Sequence, residues 1–438
     1  MRTYDNYKES GIQWIGEIPG RWINASFRRI CERNIVGIAE AATDSYNEKG
    51  VPILRSTNIK NGVIQGEIYL IDEAFDEKNK SKRLFKNDII TVRTGYPGQS
   101  AIITEELHNC QCFTLLISTL KSNVNPKFYN FYINGYCGVK YFEITAWGSA
   151  QLNISVPILQ ELPITIPPIE EQTAIANYLD SKTTEIDQVV ADKEALVSLY
   201  EEEKKALINE AVTKGLNADA KLKPSGIDWL GEVPEHWEYI SIKRIVETKV
   251  TDGPHESPDF IEEGVSFISA EAIKENKIDF GSCRGYISKE LDEIYSKKCK
   301  PRKEDILLVK SGSTTGKVAM VETDLNFNIW SPLALIRSNK DLVNSTYFFY
   351  SLLSEQFKTL VELFWSFGTQ PNIGMNVIEN LKIAVPPLSE QTAIVQYIES
   401  ETANINDKIN QIKQEIDLLK EYRQALIFEA VTGKVRVD

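Results

Sequence analysis

The sequence predicts an α+β protein in which two mixed α/β domains are separated by two long helices that form an antiparallel coiled coil, with a pseudo-two-fold internal repeat. Three observations carry this prediction. The 438-residue chain repeats its framework once; each copy closes on a long stretch free of Pro and Gly; and the segments between are broken into short apolar runs.

The repeat opens at residues 10–22, SGIQWIGEIPGRW, which recur at 225–237 as SGIDWLGEVPEHW. Ser10, Gly11, Ile12, Trp14, Gly16, Glu17, Pro19 and Trp22 return as Ser225, Gly226, Ile227, Trp229, Gly231, Glu232, Pro234 and Trp237. Each copy closes on a second shared segment, PPIEEQTAIANY (167–178) and PPLSEQTAIVQY (386–397), followed by ALINEAVT (206–213) and ALIFEAVT (425–432). The closing segments keep one spacing, so both copies contain an element of equal length.

That element is a helix by pattern. Pro suits the first helical turn, and the Glu residues that follow favour the positive end of the helix dipole. Ser389 is expected to cap the second helix. In that copy Ile398, Ile405, Ile412, Leu419 and Leu426 recur every seven residues, with Ile409 and Ile416 completing a 3-4 seam. The first copy carries Leu179, Ile186, Tyr200 and Leu207 at matching positions, with Val190 and Val197 beside them; Lys193 interrupts its seam. Gly215 and Gly433 stand where helix C-caps are expected. Each helix should run ~45 residues, or about 65 Å, and the two seams should pack on one another.

The intervening segments hardly resemble each other. Runs such as VPILRSTNIK (51–60), NDIITVRTG (87–95), VSFISAEAIK (265–274) and EDILLVKSG (304–312), punctuated by Gly, Pro, Asn and Asp, read as strands and turns. The domains are therefore drawn at 1–165 and 223–385, with helical segments at 166–222 and 386–438.

Charge is unevenly spread. The net charge is −13, which argues superficially against nucleic acid as a partner. Residues 166–222 hold 6 Lys/Arg against 12 Asp/Glu and residues 386–438 hold 6 against 9. Residues 21–165 hold 16 against 14, and residues 235–385 hold 18 against 22. The first helix is thus the largest acidic source, and the first divergent domain is mildly basic.

The ordered set of motifs resembles the specificity subunits of type I restriction-modification systems over essentially the whole chain. It comprises the paired Gly-Ile-x-Trp openings, the PP[IL]xEQTAI helix starts and the ALIxEAVT helix ends. The approach to each helix adds to it: Gly148-Ser149-Ala150-Gln151-Leu152-Asn153-Ile154 and Gly368-Thr369-Gln370-Pro371-Asn372-Ile373. The resemblance implies a non-catalytic subunit with two target-recognition domains, each reading one half of a bipartite, asymmetric site in double-stranded DNA. It implies paired helices that set the gap between halves. It also implies two methyltransferase subunits carrying S-adenosylmethionine, and restriction subunits using ATP and Mg. No catalytic residue, metal or cofactor of the chain's own is expected. The opening residues hold no export-type apolar stretch, and there is no run of ~18 uncharged apolar residues, so a cytoplasmic location away from membranes is expected.

The residues expected to contact DNA lie at strand ends and glycine turns. In the first domain these are Arg55, Lys60, Arg93, Thr94, Tyr96 and Gln99; in the second, Lys274, Lys310, Ser311, Thr314, Thr315 and Lys317. Arg and Gln can bond base edges in pairs, whereas Lys, Ser and Thr mostly hold phosphates. Trp14, Trp22, Trp229 and Trp237 belong to the frame and should pack against the helices instead.

Other chemistry is only suggested. Gly312–Lys317 has three residues between its glycines where a phosphate loop has four, and Val318 follows the lysine where Ser or Thr belongs. Asp259 with Glu275-Asn276-Lys277 is a short nuclease-like pattern, which residues 58–63 (NIKNGV) do not match. His108-Asn109-Cys110-Gln111-Cys112 lacks the second ligand pair of a structural zinc site. The six scattered cysteines read as reduced thiols. Neither Pro-Pro pair is preceded by Asn or Asp, so no amino-methyltransferase motif is present.

Overall fold

Both Pro- and Gly-free stretches are helical along their whole length, Ile169–Lys214 (46 residues) and Leu388–Val431 (44 residues). They belong to a computed structural model that describes residues 3–40, 45–149, 151–225, 231–367 and 370–437. Gly226, Ile227 and Trp229 of the second opening segment, and Ala150, Gly368 and Thr369 of the helix approaches, lie outside the described residues. The chain divides into two units, Met1–Glu194 with Lys413–Asp438, and Ala195–Ile412. Each long helix therefore begins in one unit and ends in the other. No helix among the described residues is long and apolar enough to cross a membrane.

Within each unit the helices run antiparallel. In the first unit Asp187 meets Arg423 at 2.8 Å, Glu194 meets Lys420 at 3.2 Å, and Lys193 meets Glu415 at 2.6 Å. The lysine that breaks the apolar seam thus reaches across to a carboxylate on the other helix. Leu179, Ile186, Leu426 and Ile427 fill one core there. In the second unit Lys408 sits over the ring of Tyr200, and Leu207 and Ile208 pack against a core holding Ile394 and Ile398. Ile405, Ile409, Ile412 and Ile416 are buried, as the heptad requires. Each contributes roughly 1.5–3 kcal/mol of apolar transfer.

Helix starts depart from expectation at one residue. Gln391 N–H donates to Pro387 C=O at 3.0 Å, as Gln172 does to Pro168. Proline therefore precedes the first turn, and Ser389 lies inside that turn and is not the cap. The ends follow the glycine signal, with Gly215 and Gly433 at φ +75° and +71°. Lys434 N–H closes the second helix on Glu429 C=O at 2.8 Å.

The Glu-Gln pair of the helix-start motif has the same two tasks in both units. Glu171 accepts from the indole of Trp22 (3.2 Å) and the hydroxyl of Tyr4 (2.9 Å), and pairs with Arg21 (2.8 Å). Glu390 accepts from the indole of Trp237 (3.0 Å) and meets His236 (2.8 Å). Gln172 accepts from Asn125 N–H (2.9 Å) and donates to Pro167 C=O (2.8 Å). Gln391 accepts from Asn344 N–H (2.7 Å) and donates to Pro386 C=O (2.8 Å). Asn125 and Asn344 in turn cap the helices Pro126–Asn134 and Ser345–Leu353. Trp14 is only half-buried against the first core.

The divergent domains share one topology. In the first, the antiparallel order is Ser100–Ile102, Ile89–Thr91, Leu116–Leu120, Cys31–Val36. In the second it is Val318–Met320, Ile306–Val309, Leu333–Ile336, Thr251–Asp252. Beside each lies a second sheet with one parallel pairing, Val51–Leu54 with Gln111–Cys112 and Val265–Ile268 with Phe327–Ile329.

Gln172→Ala and Gln391→Ala each remove the partner of a part-buried backbone amide and of a buried proline carbonyl, so each should cost about 1–3 kcal/mol. The two residues belong to different units, so the double variant should show the sum of the single losses. Chemical denaturation of the three variants measures both effects.

Candidate nucleic-acid interface

The strongest structural correspondence between the units lies at the glycine turns. Residues 92–99 join the strands Ile89–Thr91 and Ser100–Ile102; residues 310–317 join Ile306–Val309 and Val318–Met320. Each turn is held by the segment that approaches its long helix. In the first unit Gly95 N–H donates to Leu152 C=O (3.1 Å) and Ile154 N–H to Arg93 C=O (2.9 Å). In the second, Gly312 N–H donates to Pro371 C=O (3.1 Å) and Ile373 N–H to Lys310 C=O (2.8 Å). The Gln-x-Asn-Ile motif of the sequence is thus the clamp on the turn, a long-range pairing that no local pattern announces.

Each expected contact residue now has a place. Arg93 is half-buried and its Nε has no hydrogen-bond partner. Thr94 Oγ1 donates to Asn153 Oδ1 at 2.6 Å. Tyr96 is 79% exposed at the tip of the turn, and Gln99 is half-buried at its base. Ser311 bridges to Asn372, as Thr94 does to Asn153. Thr315 donates to the carbonyls of Gly312 (2.8 Å) and Pro371 (3.1 Å), so its hydroxyl braces the turn. Thr314 is half-buried and Lys317 exposed. Lys310 points inward, its Nζ 3.3 Å from Asp252.

The remaining candidates lie on a second pair of matching turns. Lys60 precedes the Asn61-Gly62 turn of the hairpin Ile59–Lys60/Val63–Ile64, and Lys274 precedes the Glu275-Asn276 turn of Ile273–Lys274/Lys277–Ile278. Both turns place two residues at positive φ, as the tight mirror-image hairpin turn requires. Lys274 is bonded to Asp279 (2.8 Å), and chiefly that bond pushes the Asp279 carboxyl down to about 2. Arg55 stacks 3.7 Å over the ring of Tyr69 and donates to Glu67 C=O (3.3 Å).

The nuclease-like Glu275-Asn276 is therefore a hairpin turn, and among the described residues no group of three or more His, Cys, Asp and Glu could hold a metal ion. Gly312–Lys317 links two antiparallel strands and lacks the helix that a phosphate loop opens. The six cysteines are free; burial pushes the thiols of Cys31, Cys110, Cys137 and Cys299 up to about 12.

Residues 34–194 and 234–418 match the family described as the type I restriction modification DNA specificity domain, each match spanning one divergent region and running into the long helix that follows it. The chain belongs to that family. It is 25% identical to the putative MjaX specificity subunit of Methanocaldococcus jannaschii, over 99% of this chain and 97% of that one. It is 22% identical to the EcoBI specificity subunit of Escherichia coli, over 98% and 89%. Its fold is similar to a chain in a solved structure titled for complex assembly and conformational transition of the type I R-M system. The TM-score there is 0.72, at 16% identity over 95% of this chain and 99% of the other. The HsdS subunit from Thermoanaerobacter tengcongensis aligns with a TM-score of 0.55 at 16% identity, over 95% and 98%. The MjaX and EcoBI relatives are specificity subunits, and this chain carries the DNA specificity domain in two copies.

Sequence reading of this specificity chain missed Asn153 and Asn372 as clamps, although their motif was visible. The inward aim of Lys310 toward the buried Asp252 was not legible either, because no repeated pattern marks that aspartate. Gly95 and Gly98 differ in what a side chain would meet. A Cβ at Gly95 finds open space, whereas one at Gly98 lies 2.2 Å from the buried ring of Phe142. Gly95→Ala should cost about 1–2 kcal/mol for its positive φ alone, and Gly98→Ala clearly more. Comparing the two denaturation midpoints checks that order.

Proposed function

We propose that each unit reads one half of a bipartite, asymmetric site in double-stranded DNA through its glycine turn and adjoining hairpin. One observation carries this reading. The two turns are held by the same backbone clamp but present different side chains, Arg93-Thr94-Gly95-Tyr96-Pro97-Gly98-Gln99 against Lys310-Ser311-Gly312-Ser313-Thr314-Thr315-Gly316-Lys317. A shared scaffold with divergent tips is what independent readout of two different half-sites needs.

The helices are the ruler and the assembly surface in this reading. Leu199 and Leu418 occupy equivalent helix positions and are both largely exposed, at 60% and 63%. Two equivalent apolar positions suit a partner present twice, here two methyltransferase subunits. Those subunits would carry S-adenosylmethionine, and the restriction subunits ATP and Mg; the absence of a methyltransferase motif or phosphate loop in this chain agrees with that division.

The deciding experiment exchanges residues 21–165 for the equivalent of another family member and maps methylated sites in cells that also express the methyltransferase. One half of the motif should change, while the other half and the gap persist. A change in both halves would refute independent readout. Inserting one heptad at matched points in both helices tests the ruler, because it keeps the apolar seam in phase. Seven residues add roughly 10 Å of helix, equal to about three base pairs of B-DNA at 3.4 Å each. Methylation over a library of spacers should therefore shift to a gap about three base pairs longer.

A further inference from the structure

Asp252 ends the strand Thr251–Asp252 with its side chain fully buried. Its Oδ1 lies 2.6 Å from Lys298 Nζ; its Oδ2 lies 3.3 Å from Lys310 Nζ and 3.2 Å from His255 Nε2. Burial works against the charged carboxylate, but Lys298 and Lys310 more than offset it and hold the carboxyl below its usual range. Two ammonium groups share this one carboxylate, and Lys298 Nζ also donates to Gly253 C=O at 3.2 Å. The side chains of Lys298 and His255 remain 52% and 69% exposed, whereas Lys310 is 12% exposed. The cluster is therefore open to solvent on one side and anchored from beneath on the other.

Its place in the fold indicates what would approach it. Thr251–Asp252 and Ile306–Val309 both pair antiparallel with Leu333–Ile336, so they run parallel to each other. The loop after Asp252 and the turn beginning at Lys310 consequently leave the same edge of the sheet. That loop is pressed down at Gly253, where a Cβ would lie 1.8 Å from Ile329 C=O, and Trp330 Nε1 donates to Glu256 C=O at 3.1 Å. The hydroxyl of Tyr295 bonds the Glu256 side chain, and Glu256 and Asp259 are the carboxylates that face Tyr295, one helical turn from Lys298. Among the described residues the first unit has no counterpart to Asp252 at the equivalent sheet position. Asp252 pairs with Ala334 in the sheet, and the residue at the same position there is Val36, paired with Leu116.

We propose that Lys298 and His255, with Lys310 behind them and Asp252 as their anchor, form an anion site that takes a backbone phosphate of DNA held by the second unit. The proposal rests on the DNA-reading function above and adds a contact that positions the duplex without reading its sequence. It also gives the second domain, which holds 18 Lys/Arg against 22 Asp/Glu over residues 235–385, solvent-facing phosphate donors beside its reading turn.

The test measures duplex binding by the full chain assembled with its methyltransferase, across a series of salt concentrations. Lys298→Gln should make the log–log salt slope shallower by about 0.9, the value for one phosphate contact, and leave the methylated motif unchanged. Lys298→Arg should keep the wild-type slope. His255 is exposed and can be removed without uncovering Asp252 from Lys298, so His255→Gln covers the case in which Lys298→Gln fails to fold. It should weaken binding, again with the motif unchanged. Wild-type slope and affinity in both variants, or an altered motif in either, would overturn the site while leaving DNA reading intact. A wild-type complex that bound no duplex would overturn both.

Discussion

The contact between an indole N–H and the first-turn carboxylate of a long helix holds the frame together. Trp22 donates to Glu171, and Trp237 donates to Glu390. Each tryptophan is fully buried and also packs on the glycine that ends the other long helix. A Cβ on Gly433 would lie 3.0 Å from Trp22, and one on Gly215 would lie 3.0 Å from Trp237. One side chain thus fixes a helix start, a helix end and the opening segment of its unit. The neighbouring glutamine passes that order into the domain by holding the cap of its first helix, so the register of the helices is carried to the sheets.

The frame was legible because its constraints are local and stated twice. Helix period, Pro-Pro starts, Gly ends and the repeated tryptophans each act over a few residues, and the second copy confirms the first. The exceptions are instructive. Ser389 has the chemistry of a cap, but the preceding prolines set where the first turn begins. Lys193 looks like a break in the seam until Glu415, distant in sequence, is brought opposite it. The reading turns were legible only as glycine-rich strand ends. Their clamp joins segments some sixty residues apart, and the inward aim of Lys310 depends on a buried aspartate that sequence marks no differently from an exposed one.

The divergent domains conserve interactions more than residues. Gln111 donates to Asp76 at 2.8 Å in the first, and Asn328 donates to Asp292 at 2.8 Å in the second, from equivalent strands to equivalent helices. Burial opposes both carboxylates; bonds from Arg83 and Gln111 in one, and from Asn326, Lys300 and Asn328 in the other, hold both below the ordinary range. The buried Asp88 and Asp305, which precede matching strands, are paired with arginines from different places in the sheet: Arg33 in Cys31–Val36, two strands away, and Arg337 just after the adjacent strand Leu333–Ile336. In the first, burial dominates and raises the Asp88 carboxyl in spite of Arg33. A buried carboxylate must find a cation or a donor somewhere. The two domains meet that demand with different residues while keeping one topology.

The same rule explains how an acidic chain can present cations to a polyanion. A carboxylate buried beneath a lysine counts fully in the net charge of −13 but contributes little field of its own at the surface, because the cation lies between it and solvent. Asp252 is of this kind, and Asp305 is covered in the same way by Arg337; the largest surplus of acid sits on the first long helix. Exposed charges separated by more than a Debye length, about 10 Å at 0.1 M salt, are largely screened from one another. An approaching phosphate therefore responds mainly to charges within that length, Lys298, His255 and Glu256 among them, and the whole-chain total is a poor guide to what that site can bind.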